Sequence, residues 1–298
     1  QRQMCIRDSV STAYLNGEFR PLSETQVSVM DRGFLFGDGV YEVIPVYGGR
    51  LFRLAHHLKR LRNSLDGVRI ANPLSDTAWE TMLTELVARN EGHDQAVYLQ
   101  VTRGVAPRRD HAFPENCSPT LFAMSTPMPE AVDIDSVTGI AAITLPDIRW
   151  KLCNLKAITL LPNVLLRQQA LDSDGAEAIL INDGLAIEGA ASNLFIVRDG
   201  LLITPANGPA LLPGITRDLI IELAANHAIP FREADITQQQ LFSADEIWLT
   251  SSTREISPVI RLDDSVISGG TPGPLWRHMI SLYQDYNCVL RFYNPGRG

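Results

Sequence analysis

No apolar run in this sequence reaches the length of a membrane span, so a helical membrane protein is not expected. Cysteine is scarce. The four present, Cys5, Cys117, Cys153 and Cys288, are scattered with no CxxC and no metal-ligand spacing. They read as reduced thiols of a cytoplasmic protein rather than as a disulfide framework. His56 and His57 are adjacent, not one helical turn apart, so no metal site is expected. Basic residues are outnumbered, 26 Lys and Arg against 34 Asp and Glu, for a net charge of −8 and a pI near 5.3. That balance argues against nucleic acid or an anionic membrane as partner. There is no internal repeat and no low-complexity segment. The opening QRQMCIRDS lacks the apolar core of a signal peptide and has no continuity with the chain after it. Residues 1–9 resemble a translated sequencing-adapter end and read as foreign to the fold, with the native start expected upstream of Ala13.

What is present is enough for a substantial core: 298 residues, 45% of them apolar. That length suits two ordinary domains or one large one. Asn16-Gly17 between short apolar runs predicts a hairpin over 12–20. DRGFLFGDGVYE, from Asp31 to Glu42, packs glycines among aromatics and predicts tight turns, then a strand over 41–46 with Pro45 hinting at a sheet edge. Leucines at 54, 58, 61 and 65 predict a helix. A second helix is expected over 76–89 with Ser75 as N-cap, and strands over 96–103 and 121–125. The loop between those strands carries Arg108, Arg109, Asp110 and His111 in a row. A proline-bearing linker, 127–133, separates a domain over 10–126 from one over 134–298. The second half predicts a strand over 139–145 and a helix over 162–171. An antiparallel meander turning at Asp183-Gly184 and Asp199-Gly200 comes next, then a helix over 218–226, a strand over 246–252 and a closing helix over 271–286. Helices mixed with antiparallel strands in both halves give an α+β fold.

One stretch organises the rest. DIRWKLCNLK ends in Lys156, and LAIEGAASN carries Glu188 on a strand. A lysine in a suitable pocket is an amine nucleophile, and a carboxylate opposite a cofactor nitrogen keeps that nitrogen protonated. Pyridoxal phosphate chemistry requires both. Taken alone, each residue is more often an ordinary surface charge, and Lys151 competes with Lys156.

With DRGFLFGDGVYE, HLKRL, DIRWKLCNLK, AIEGAASNLF, LLPGITRD and LTSSTREISPV in that order, the chain resembles the fold-type-IV pyridoxal-phosphate enzymes, the class IV aminotransferases. Within them it is most similar to the D-amino-acid transaminases. The resemblance covers 12 to about 286. It implies a two-domain α+β fold with pyridoxal 5'-phosphate in the interdomain cleft. Lys156 matches the Schiff-base lysine and Glu188 the partner of the pyridine nitrogen. Arg60, Ile215, Thr216, Ser251 and Ser252 match the phosphate contacts, and Leu212 a residue on the ring face. Tyr41, Arg109 and His111 match the trap for the substrate carboxylate. The doubled arginine leaves Arg108 as an alternative to Arg109. His57 is expected to orient Arg60 or its helix, and Arg254 either lines the pocket or faces solvent.

The activity implied is transfer of an amino group from a D-amino acid, such as D-alanine, to a 2-oxo acid, such as 2-oxoglutarate, by a ping-pong cycle in a homodimer. The Arg109 loop is expected to reach towards the partner's site. Alternatives are a branched-chain L-amino-acid or an (R)-amine transaminase, an aminodeoxychorismate lyase, or a cofactor-binding protein without turnover. YLQVTRG and TSSTREI speak against the branched-chain alternative, and the Arg-x-His pair against the amine enzyme and the lyase.

Overall fold

The computed structural model describes residues 11–129 and 133–292, with side chains up to 288. The stretch expected to be foreign, Cys5 and the middle of the expected linker lie outside the described residues. The chain divides into two compact units, one up to Pro129 and one from Glu130.

The first unit is an antiparallel sheet of six strands covered on one face by helices. β1 (Thr12–Leu15) and β2 (Glu18–Pro21) form the expected hairpin, with Asn16 and Gly17 at φ of 48° and 102°. A short helix, α1 (Arg32–Phe36), stands where the sequence predicted only turns. Asp31 caps it, accepting from the Gly33 N–H at 2.8 Å. Then come β3 (Gly39–Tyr47), β4 (Arg50–Leu51), α2 (Leu54–Gly67), α3 (Asp76–Ala88), β5 (Gln95–Thr102) and β6 (Thr120–Pro127). Ser75 caps α3 as expected, accepting from the Ala78 N–H at 3.2 Å. The strand order is β2-β1-β6-β5-β3-β4. Pro45 sits on β3, which has full-length β5 on one side and only the two residues of β4 on the other, so the missing N–H is tolerated near an edge. Strand alternation divides the sheet. Val97, Leu99 and Val101 face the core with the α2 leucines and Trp79. Tyr41, Tyr98 and Gln100 lie on the half-exposed face.

The second unit contains β7 (Ile140–Pro146), α4 (Leu161–Asp172), β8 (Glu177–Asn182), β9 (Leu185–Gly189), β10 (Asn193–Arg198), β11 (Leu201–Thr204) and α5 (Ile215–Asn226). It continues with β12 (Phe231–Glu233), β13 (Ile236–Thr237), α6 (Gln238–Phe242), β14 (Glu246–Ser251), β15 (Glu255–Leu262), β16 (Ser265–Val266) and α7 (Pro274–Phe292). The sheet order is β12-β11-β10-β14-β15-β7-β8-β9-β13, with β16 on β15. Both Asp-Gly hairpins form, with positive φ at each turn residue. They do not run on as the expected meander. β14, β15 and β7 stand between them, and β7 pairs in parallel with both β8 and β15. A turn is a local signal, whereas which hairpin docks beside which strand is settled by distant pairing. Ala142, Ile179, Leu194, Ile196, Ile247 and Leu249 form one core, while Leu166 and Ala170 of α4 pack on Ile143 and Leu180. Helix α5 starts three residues before the expected Asp218, so that Ile215 and Thr216 open its first turn.

Among the described residues no helix is long and apolar enough to cross a membrane. Cys117, Cys153 and Cys288 are free thiols.

Candidate active site

Glu188, near the end of β9, is 4% exposed, and both oxygens of its carboxylate are engaged. Oε1 accepts from Arg149 Nη1. Oε2 accepts from Asn193 Nδ2 at 3.1 Å and from the Leu212 N–H at 3.2 Å. Arg149 is itself buried and gripped by Asp147, Nε to Oδ1 at 2.9 Å and Nη2 to Oδ2 at 2.8 Å. Burial pushes the Glu188 carboxyl up, to about 7, against the pull of Arg149 and the Leu212 amide. Burial opposes the Arg149 charge as well, but Asp147 and Glu188 outweigh it and raise its pKa, so Arg149 is the permanent cation of the group.

Asn193, at the start of β10, joins this carboxylate to the beginning of α5. Its Nδ2 also donates to the Leu212 carbonyl at 2.8 Å. Its Oδ1 lies where a Cβ on Gly214 would be, only 1.8 Å away, so no side chain fits at position 214. Gly214 is the N-cap of α5 and supplies no capping side chain. Ile215 and Thr216 are the first helical residues, whose amides the helix cannot satisfy itself and whose dipole favours an anion. Asn193 pairs across the sheet with Thr250, next to Ser251 and Ser252, both half-buried at the end of β14. Glu188, Leu212, Ile215, Thr216 and the two serines are thus drawn together around one asparagine.

Lys156 lies in the connection between β7 and α4, half-buried, while the competing Lys151 is exposed. Tight local turns shape this segment, with Leu155 N–H to the Leu152 carbonyl at 3.1 Å and Ala157 N–H to the Leu155 carbonyl at 2.9 Å. Arg149, on the same segment, fastens it to Glu188. Cys153 donates to the Trp150 carbonyl at 3.0 Å, and burial pushes its thiol up to about 11, so it is no nucleophile here. Arg254 is an exposed residue, on the solvent side of the two alternatives. Its Nη2 reaches the fully buried Glu177 at 2.8 Å, a carboxylate shared with Arg167.

The remaining predicted residues lie in the first unit. Arg60, on the buried face of α2, gives Nε and Nη2 to the two oxygens of Glu42 at 2.7 and 2.8 Å. His57 Nδ1 meets the same carboxylate at 2.8 Å, so it steadies Arg60 through Glu42. Burial works against a charge on Glu42, but Arg60 and then His57 overcome it and hold the carboxyl well below the usual range. Tyr41, one residue before Glu42, points to the opposite face of β3 and has its ring 5.8 Å from that of Tyr98. In the loop between β5 and β6, Arg109 and His111 gather on one ring. The Arg109 guanidinium carbon is 4.9 Å from the Phe36 centroid and the His111 ring 5.2 Å from it. The Arg108 side chain is 83% exposed and lies 3.4 Å from Asp110.

Sequence reasoning missed Arg149, Glu42 and Asn193, although each stands inside a motif it had singled out. A charge two residues from Asp147, a glutamate beside Tyr41 and an asparagine closing AIEGAASN were the available signals.

The donor set fits pyridoxal phosphate. There is an amine, a buried carboxylate for a ring nitrogen, and a helix start opened by glycine for a dianion. Ser192 Oγ and Thr250 Oγ1 are also buried without a hydrogen-bond partner among the described residues.

Comparison with known proteins agrees. Residues 39–262 match the family described as amino-transferase class IV. The chain is 38% identical over 270 residues to the D-alanine aminotransferase of Bacillus licheniformis, covering 91% of this chain and 95% of that one. It is 36% identical over 274 residues to the D-alanine aminotransferase of Staphylococcus aureus, covering 92% and 96%. Among solved structures, the branched-chain aminotransferase of Thermoproteus uzoniensis with norvaline superposes with a TM-score of 0.84 at 25% identity, over 93% of this chain and 94% of that one. The T.th. branched-chain amino acid aminotransferase with pyridoxamine 5'-phosphate gives 0.85 at 27%, over 93% and 94%. Motif order, site chemistry, fold and relatives converge: this chain belongs to the class IV aminotransferases, the pyridoxal-phosphate-dependent enzymes of fold type IV.

Proposed function

We propose that the enzyme moves the amino group of a D-amino acid, such as D-alanine, to a 2-oxo acid, such as 2-oxoglutarate, in two alternating half-reactions. The observation that carries the substrate reading is the gathering of Arg109 and His111 on Phe36. A cationic fork beside an imidazole is a recognition element for a carboxylate. Relatives named D-alanine aminotransferase support it. Arg108, exposed and close to Asp110, is the weaker alternative.

When bound, pyridoxal phosphate supplies the aldehyde that takes up the amino group and a ring that accepts electron density. Lys156 would hold the cofactor through its amine and, once free, would serve as the base that moves a proton at substrate Cα. Glu188 would keep the ring nitrogen protonated, with Arg149 pulling towards the charged form against the burial that raises the Glu188 carboxyl to about 7. Leu212 would pack on the ring. Arg60, the Ile215 and Thr216 amides and the Ser251 and Ser252 hydroxyls bind the phosphate. Tyr41 assists Arg109 and His111 at the substrate carboxylate. The domain over 10–126, the linker over 127–133 and the domain over 134–298 make up the working chain.

We place the enzyme in the cytoplasm as a homodimer. Exposed Ile148, Trp150, Leu152, Leu161, Val164 and Leu165, all within one stretch, support a covered apolar surface.

The branched-chain reading is the second to weigh, because two of the solved structures that resemble this chain bear that activity by name. Absorbance of the cofactor-loaded enzyme with D-alanine, L-leucine and (R)-1-phenylethylamine in turn separates them. D-Alanine alone should discharge the lysine-bound band. A response to L-leucine alone assigns the branched-chain activity instead, and a response to the amine alone makes the carboxylate trap irrelevant.

A further inference from the structure

Arg32 is 3% exposed, yet its guanidinium serves the loop that carries Arg109 and His111. Nε donates to Asp38 Oδ2 at 2.7 Å. Nη1 donates to the Asp110 carbonyl at 2.6 Å and the Ala112 carbonyl at 3.3 Å, and Nη2 to the His111 carbonyl at 3.3 Å. Three successive carbonyls, from the residue after Arg109 to the one after His111, thus end on one rigid fork. The Arg32 guanidinium carbon also lies 4.8 Å from the Phe36 centroid, on the ring that gathers Arg109 and His111.

Charge explains why the loop is bound firmly. Asp38 is shared, because Arg103 gives it Nε and Nη2 at 2.8 and 2.9 Å. Two guanidinium groups on one carboxylate leave one positive charge in excess; backbone carbonyls face it, those of Val68 and Arg69 on Arg103 and those of the loop on Arg32. The arms of the loop are fixed separately. A Cβ on Gly104 would lie 1.9 Å from the Ser118 carbonyl oxygen, and Cys117 Sγ reaches the Arg103 carbonyl at 2.9 Å. Beyond the base, Phe113 is held under the Arg103 and Arg69 guanidinium carbons, 3.7 and 4.6 Å from its centroid. The stretch that carries Arg109 and His111 is held by Arg32.

We propose that Arg32 is a positioning residue for substrate recognition: by holding the carbonyls of Asp110, His111 and Ala112 it fixes Arg109 and His111 against Phe36 in the geometry that takes a substrate carboxylate. This rests on the reading of Arg109 and His111 as the carboxylate trap. A lysine at 32 keeps a charge for Asp38 but has no planar fork to span three carbonyls.

The test is a steady-state comparison of the cofactor-loaded wild type, Arg32→Lys, Arg109→Gln and the double variant with D-alanine, each with its absorbance band recorded. Arg32→Lys should raise KM by about tenfold or more while kcat falls far less and the band is kept. In the double variant the KM should stay within about twofold of Arg109→Gln alone, because the two residues act as one device. If Arg109→Gln raises KM and Arg32→Lys does not, the positioning role is wrong and the trap reading stands. If neither raises KM, the trap reading fails and this inference with it. Loss of the band, or effects on KM that multiply in the double variant, would make Arg32 a scaffold residue only. Should Arg32→Lys fail to fold, Phe36→Leu removes the shared ring and leaves the fork. The same rise in KM is expected, and an unchanged KM overturns the proposal.

Discussion

Arg149 donates from Nη1 to Glu188 Oε1 deep in the second unit, and its other edge is gripped by Asp147. The chemistry assigned to Glu188 depends on this pair. Burial alone would favour the neutral acid, which cannot keep a ring nitrogen protonated. Arg149→Gln removes the cation and leaves two buried carboxylates uncompensated. A loss of about 3–5 kcal/mol in urea unfolding of the apoprotein is expected. The half-reaction with D-alanine should slow by about a hundredfold or more in stopped flow. Full speed in this variant would mean that Glu188 needs no counter-charge.

The close approach of Gly214 to Asn193 gives a second expectation. Gly214→Ala places a methyl 1.8 Å from Asn193 Oδ1, so the start of α5 must shift. Cofactor retention on dialysis should weaken by about tenfold. Asn193→Ala alone loses two hydrogen bonds, at a cost of about 1–3 kcal/mol. In that background Gly214→Ala should do less further harm than in the wild type, a coupling that equilibrium cofactor titration can measure.

Glu42 sets the response to acid. Its carboxyl is held below the 4.5 of a free glutamate, so its contribution to stability is complete above that pH and is lost as pH falls towards the folded value. Glu42→Gln should cost about 3 kcal/mol near neutral pH. The urea midpoints of variant and wild type should then draw together below about pH 4. Curves that stay parallel to low pH would show that the pair with Arg60 does not hold Glu42 ionised.

The two neighbouring arginines of the loop should behave differently. Arg109→Gln should raise KM for D-alanine by about tenfold or more, whereas Arg108→Gln should change it by less than about twofold. The reverse order would move the carboxylate contact to Arg108.

The legible parts of this fold were local. Asn16-Gly17, Ser75 and the leucines of α2 announced a turn, a cap and a helix because each acts over a few residues. Helix α1 was hidden because its cap, Asp31, stands in a run of glycines and aromatics that also suits a turn. The order of the two Asp-Gly hairpins was hidden because β14, β15 and β7 enter between them from elsewhere in the chain. At the site, Lys156 and Glu188 were singled out through motif order. Arg149, Glu42 and Asn193 were not, because a residue that acts by touching another has no signature until the two are brought together. Arg32, read as part of a structural turn, shows the same limit: its partners are nearly eighty residues away.

The most direct measurement uses a property of the composition. The chain contains only three lysines, Lys59, Lys151 and Lys156. Borohydride reduction of the cofactor-loaded enzyme, followed by peptide mass mapping, should place the pyridoxyl group on Lys156 alone. Addition of D-alanine without a 2-oxo acid before reduction should abolish the label, and L-leucine should leave it in place. A label on Lys151 or Lys59, or one that L-leucine removes and D-alanine does not, would contradict the account.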